Sequence, residues 1–339
     1  MPIYLIGTLS LLGAFALIGY LYEKHAEARD AQRFQPPGQM VDIGGHRLHL
    51  LCMGEKQPGQ PTVILESGHG AWSNYWRTVQ PEIARFARVC AYDRAGFGWS
   101  EPGPKPRTPE RIVTELHTLL AQAGEPGPYL LVGHSMGGPL SRLIYALYPH
   151  EITGMVWIDS GHENMPKYIP FVQSAFRSFI VLARVGALLA RFGLIRLLGR
   201  RRILAGYSSV QEPDAQATLL AHTARPQFLR ALGDETATMT WPEQWARAPQ
   251  SLGDLPVVAL EVQYGPEVPK GYTPARWELF RAGWRTIHND LSALSTNTQR
   301  IPVSGGHNVM AEQPTLVVQA VRDMLARFAG EEDDNGRNP

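Results

Sequence analysis

Gly133-His134-Ser135-Met136-Gly137 decides how this chain is read. An apolar run, Tyr129-Leu130-Leu131-Val132, leads into it, and a helical pattern from Pro139 to Tyr148 follows. Gly-x-Ser-x-Gly between a strand and a helix predicts a sharp turn that lifts the serine hydroxyl above the strand end. A side chain at either glycine would crowd the neighbouring backbone. Such pentapeptides also arise as plain Gly-rich turns, and the flanking strand and helix set this one apart. Ser135 is the candidate nucleophile.

On either side the chain alternates strand and helix. Val41 to Leu50 reads as a hairpin turning at Gly44-Gly45. Thr62 to Leu65, Arg88 to Tyr92 and Gly154 to Ile158 read as strands, as do Pro256 to Leu260 and Arg300 to Val303. Thr108 and Pro109 open a helix as N-cap and first helical residue, and Gly124 ends it. Arg276 to Leu294 and Gln313 to Phe328 are helical patterns. The alternation predicts an α/β fold, a largely parallel sheet with helices on both faces. Residues 161–250 break the rhythm with helical patterns and no convincing strand, as a cap over the sheet's active edge would. The folded domain is expected over 40–330, with a loose acidic tail at 331–339.

The chain has 339 residues, 44% hydrophobic and 19% charged, with net charge +1. That suffices for a large core and gives no basic surplus for nucleic acid. Its two cysteines, Cys52 and Cys90, cannot form a disulfide framework. Both sit in apolar strand-like runs and read as buried free thiols, a bridge staying open if those strands are neighbours.

Ile3 to Tyr22 carry no charged residue. Such a helix spans ~30 Å, the thickness of a bilayer core, and Tyr4, Tyr20 and Tyr22 lie near its ends, where aromatic rings favour the interface. Without a basic leader the segment reads as a single-span anchor over 1–22, although Ala26-Glu27-Ala28 resembles a cleavage site. A buried core helix is the alternative. Residues 23–39, with Pro36-Pro37-Gly38, read as a linker. Lys24, Arg29 and Arg33 follow the span, a bias that places the following domain on the cytoplasmic side.

Ligands of open parallel sheets bind beyond the carboxyl ends of the strands. A serine at that edge needs a base, and His307, in Ser304-Gly305-Gly306-His307 after the last strand, is the candidate among eleven histidines. An acid must hold the imidazole tautomer. Asp159 directly follows its strand, whereas Asp254 precedes one and belongs to the opposite edge. Glu261 and Glu267, after Leu260, stay open as alternative acids. Asp93 reads as a turn residue. A developing oxyanion needs backbone donors: the N–H of Met136 and, from Ser67-Gly68-His69-Gly70, that of His69. This chemistry requires no metal and no organic cofactor.

Order and spacing resemble the α/β-hydrolase superfamily over residues 40–328. The resemblance rests on Gly133-His134-Ser135-Met136-Gly137-Gly138, on Asp93-Arg94-Ala95-Gly96-Phe97-Gly98-Trp99-Ser100 and on the late Gly306-His307. It implies an eight-stranded, mostly parallel sheet with a helical lid and the chain order Ser, acid, His. Two departures stand out. Ser67-Gly68 occupies the place where many relatives have His-Gly. No Asp follows Val257 to Leu260, where many members carry their acid; some relatives place it one strand earlier, at the position of Asp159, while Glu267 lies in a loop many others use. Haloalkane dehalogenases and epoxide hydrolases look similar but use Asp at the elbow. Ser135 thus leaves ester, thioester or amide hydrolysis, acyl transfer, carbon–carbon bond hydrolysis or a perhydrolase-type side reaction.

The expectation is a membrane-anchored serine esterase acting on a small-molecule ester with an apolar acyl group. An acyltransferase, a carbon–carbon bond hydrolase and a noncatalytic anchored binding module are the alternatives. Within the cap, Val181, Val185, Leu188, Phe192 and Ile195 share a helical stripe flanked by Arg177, Arg184 and Arg191, with Arg200-Arg201-Arg202 beyond. That pattern suits a lid resting in a lipid headgroup region, or one packed on the core with solvated arginines.

Overall fold

Period-two burial builds the sheet. Along Tyr129–His134, Tyr129 and Leu131 enter one core cluster while Leu130 and Val132 enter another. Every residue of that strand is buried, as in a sheet covered on both faces. The computed structural model describes residues 2–199, 203, 213–240 and 242–335.

Helix α1 (Pro2–Arg33) precedes β1 (Gln39–Asp42), β2 (Arg47–Met53) and β3 (Thr62–Glu66). Then come α2 (Gln80–Ile83), β4 (Val89–Tyr92), α3 (Pro109–Gln122), β5 (Tyr129–His134), α4 (Gly137–Leu147) and β6 (Ile152–Ile158). The cap contains α5 (Met165–Tyr168), α6 (Pro170–Ala190), α7 (Leu194–Leu198), α8 (Pro213–Thr223) and α9 (Pro226–Thr238). The sheet resumes with β7 (Val257–Val262), α10 (Pro274–Ser292) and β8 (Thr298–Val303), and α11 (Val309–Glu312) and α12 (Pro314–Asn335) close the chain. The eight strands run β1-β2-β4-β3-β5-β6-β7-β8, antiparallel at β1–β2 and β2–β4 and parallel elsewhere. Helices α3, α4 and α10 pack on one face, α2 and α12 on the other. Thr108 caps α3 through Arg111 N, with Pro109 as its first residue, and Gly124 follows it at φ +71.

The cysteines are not free. β2 pairs directly with β4 in a register that sets Cys52 opposite Cys90, and the two form a disulfide. The reading as free thiols gives way because strand adjacency is a long-range fact that neither cysteine's local sequence carries. A bridge across 38 residues contributes about 3–4 kcal/mol in the chain-entropy picture. Reduction is expected to lower unfolding stability in urea by that amount; an unchanged midpoint would contradict it.

Helix α1 does not stop at the end of its apolar run. The charged stretch from residue 23, expected as linker, continues the helix to Arg33. Glu23, Ala26 and Asp30 recur every three to four residues and are buried against the cap. Arg196 of α7 pairs with Glu23 at 2.9 Å and Asp30 at 2.5 Å. A Cβ on Gly19 would meet the Phe192 carbonyl oxygen at 2.6 Å, so a glycine permits this close crossing. The preceding part of the helix, around Leu5 to Ile18, presents exposed apolar side chains.

In the cap, α6 buries Ala183, Ala187 and Ala190, and Ala183 meets α9 at Gly233. Val181, Leu182, Val185 and Leu188 point to the exterior. Both α1 and α6 are long and apolar enough to cross a membrane. Arg200, Arg201 and Arg202 lie outside the described residues.

Candidate active site

Past His134 the chain turns so sharply that Ser135 takes φ +53, a left-handed conformation sparsely used by residues with a side chain. Such strain persists where the surroundings impose it. Here a Cβ on Gly133 would lie 2.6 Å from the Gly137 carbonyl oxygen, and one on Gly137 would lie 2.3 Å from that of Glu66. Ser135 N donates to Ile158 O at 3.1 Å, and Ser135 O accepts from Gly138 N and Gly161 N at 3.0 and 2.9 Å. Met136 is the N-cap of α4, where backbone N–H groups lack intrahelical acceptors and the helix dipole favours negative charge.

Asp159, at φ +42, directly follows β6 at the same sheet edge and is fully buried. Its Oδ2 accepts from His307 Nδ1 and from the Tyr264 hydroxyl, both at 2.5 Å. Its Oδ1 accepts from Trp284 Nε1 at 2.8 Å, His288 Nε2 at 3.1 Å and Val262 N at 3.4 Å. Burial alone would raise this carboxyl's pKa; the hydrogen bonds from His288, His307 and Tyr264 outweigh it and hold the group well below the usual carboxylate range. With Nδ1 donating, the neutral His307 ring carries its lone pair on Nε2. His307 and Ser135 line one cavity. Among the described residues no hydrogen bond joins their side chains, and such contacts often tighten only with substrate bound.

His134 Nε2 donates to the His307 carbonyl at 2.9 Å and so braces the His307 loop. Burial, with His307 nearby, pushes its pKa down to about 3. The alternative acids stand elsewhere. Glu261 is committed to Arg300 at 2.7 Å and Ser292 at 2.8 Å, and Glu267 is exposed in the loop after β7. Asp93 is a buried turn hub, accepting from His49 Nδ1 at 3.0 Å and from Ser73 N and Trp99 N at 2.9 Å.

The loop after β3 abuts the serine. A Cβ on Gly68 would lie 3.2 Å from Ser135 Cβ and 2.8 Å from His134 Nδ1. Buried Arg94 donates to Ser67 O at 2.8 Å, Gly68 O at 2.6 Å and Glu66 Oε1 at 2.7 Å. A trans peptide directs its N–H opposite its C=O, so the His69 N–H points away from Arg94. Cap residue Glu235 accepts from Arg94 Nε at 2.6 Å and from Gly70 N at 2.8 Å. Thr236 meets the His69 ring at 2.8 Å. Sequence reasoning missed Tyr264, Trp284, His288, Arg94 and Glu235. Only the Trp277, Trp284, His288 spacing on α10 carried a local signal, that of one helix face turned inward.

Two recesses meet at Ser135. A cavity of about 580 Å³ contains His307, Gly68, His69 and a wall of aromatic rings. A pocket of about 40 Å³ lies against Met136, Pro139, Met239 and Trp245.

The family model for the alpha/beta hydrolase fold matches residues 61–192. The uncharacterized protein YqjL of Bacillus subtilis is 37% identical over 266 residues, covering 78% of this chain and 83% of YqjL. The probable transporter efuK of Hormonema carpetanum is 32% identical over 314 residues, 85% of this chain but only 43% of efuK. This chain thus spans less than half the length of the first curated relatives it matches. The epoxide hydrolase CorEH has the same fold, with a TM-score of 0.61 at 19% identity, over 86% of this chain and 98% of that one. The protein belongs to the α/β-hydrolase superfamily.

Proposed function

We propose that the protein is a membrane-anchored serine hydrolase that cleaves carboxylic esters through an acyl-enzyme on Ser135. The observation that carries this reading is the Asp159–His307 pair opening onto the cavity that Ser135 lines. In the proposed course, His307 Nε2 takes the Ser135 proton as Oγ bonds to the ester carbon. Charge on the carbonyl oxygen is held by the N–H groups of Met136 and His69. The C–OR bond breaks, and His307 returns the proton to the leaving alkoxide. Water, deprotonated by the same imidazole, releases the acid and restores Ser135. Asp159 stabilises the imidazolium formed at each step.

A fluorophosphonate probe tests the reading. Labelling should add the probe mass to the peptide that contains Ser135 and abolish ester turnover. Absence of both labelling and turnover would leave the noncatalytic binding module. Competition between water and an added alcohol separates hydrolase from acyltransferase by product.

The bilayer is the proposed surrounding of the exposed apolar part of α1, with the outer face of α6 resting in the headgroup region beside it. A fluorophore on Leu182→Cys in the full-length protein, labelled with the Cys52–Cys90 bridge intact so that it is the one free thiol, should be quenched by lipids carrying a quencher near the headgroup; no quenching would confine contact to the anchor. The Cys52–Cys90 bridge supports the oxidising side of the membrane for the catalytic domain, since cytosolic thiols stay reduced. This reading displaces the cytoplasmic placement drawn from Lys24, Arg29 and Arg33. Thiol mass-tagging of cell extracts decides it: two tags before reduction would return the domain to the cytoplasm.

A further inference from the structure

The two recesses that Ser135 lines are unequal, and only the larger contains His307. We infer that the site takes esters of a short acyl group with a bulky, neutral, ring-bearing alcohol. The inference rests on the serine hydrolase reading and deepens it.

The leaving oxygen must lie beside the imidazole that returns its proton. The alcohol half therefore occupies the cavity of about 580 Å³ that His307 lines. Helix α10 supplies its wall. Trp277, Phe280 and Trp284 follow one another at helical spacing with nearly parallel rings: Trp277 stacks on Phe280 at 5.2 Å and 10°, and Phe280 on Trp284 at 5.3 Å and 20°. Trp284 also meets the His307 ring edge-on at 5.8 Å. Tyr264 and Tyr272 set their rings steeply against this stack. Rings so arranged offer a flat apolar group both stacking and edge contacts. Among the described residues, no Lys or Arg lines this cavity. A carboxylate or phosphate on the alcohol half would meet no cationic side chain in this lining, so a neutral group suits the aromatic wall better.

The other half is cramped. The second pocket, about 40 Å³, is lined by Met136, Pro139 and Trp245, and shares Met165, Phe176 and Met239 with the larger cavity. That space admits roughly three water-sized groups, the size of an acetyl to butanoyl chain. Glu163 at its edge is paired with Arg142 at 2.7 Å and adds no free charge. The apolar bulk expected from the sequence on the acyl side thus belongs to the alcohol.

The test uses the full-length protein in detergent micelles with two ester series. The first comprises acetates of ethanol, cyclohexylmethanol and 2-naphthylmethanol; the second, 2-naphthylmethyl esters from acetate to octanoate. From ethyl to naphthylmethyl acetate, kcat/KM is expected to rise at least about tenfold, and from butanoate to octanoate to fall by about as much. Trp277→Ala should shrink the naphthylmethyl-to-ethyl ratio mainly through KM. Trp277→Leu serves if the alanine variant fails to fold, and the wild-type panel is decisive without either. A preference for octanoate, or no gain from the ring, would overturn the inference. Fluorophosphonate labelling run in parallel separates the two levels. Probe labelling with the reversed preference removes only the subsite assignment; neither labelling nor turnover removes the hydrolase reading and this one with it.

Discussion

Ser135→Ala is expected to lower kcat for a neutral ester by roughly five to six orders of magnitude, as loss of a serine nucleophile does elsewhere. Two nearby polar side chains are already engaged. His134 is committed to the His307 carbonyl, and Ser160 turns its hydroxyl to the Gly161 carbonyl at 2.9 Å. The variant should fold normally, because alanine meets the same φ constraint as serine and no hydrogen bond of the Ser135 hydroxyl to the described residues is lost. Circular dichroism and a urea midpoint check the fold, and burst kinetics with a chromogenic acetate check the chemistry. A variant that keeps even a hundredth of the wild-type rate would place the nucleophile elsewhere.

Asp159→Asn should cost about four orders of magnitude in kcat. The carboxylate is surrounded by donors, from His307, Tyr264, Trp284, His288 and Val262 N. An amide turns one acceptor into a donor facing other donors, so His307 loses its tautomer lock and one buried group loses its partner, at about 1–3 kcal/mol. Asparagine tolerates positive φ well, so the protein should remain folded. The pH dependence of stability provides a second readout. The Asp159 pKa is depressed on folding, so its contribution is present above the unfolded value, about 4, and is lost as pH falls below it. The asparagine variant should lack that part of the acid-induced loss. Near-normal turnover would transfer the role to Glu261 or Glu267.

The elbow was legible because it is local. Strand, two glycines, serine and helix are contiguous, and the steric demand at Gly133 and Gly137 is met by residues of the turn and by β3. The placement of Asp159 and His307 at one sheet edge was legible because a strand end is a position in sequence as well as in space. What surrounds Asp159 was not. Tyr264 and His288 reach it from the loop after β7 and from α10, and nothing local distinguishes them from other core aromatics and histidines. The disulfide was hidden for the same reason, since it depends on β4 lying between β2 and β3. The junction of α1 with the cap was misjudged because charge reads as solvent exposure, whereas Glu23 and Asp30 are buried with Arg196 as partner.

Glu235 binds the cap to the loop that presents His69, through Arg94 on one oxygen and Gly70 N on the other. Lifting the whole cap would break both bonds and disturb the loop whose His69 N–H is proposed to hold the developing charge, at the moment of loading. Arrival of reactant and readiness for chemistry would then exclude each other. The fold escapes that conflict if molecules slip in past side chains at the rim of the aromatic cavity, with the roof staying latched throughout the turnover cycle.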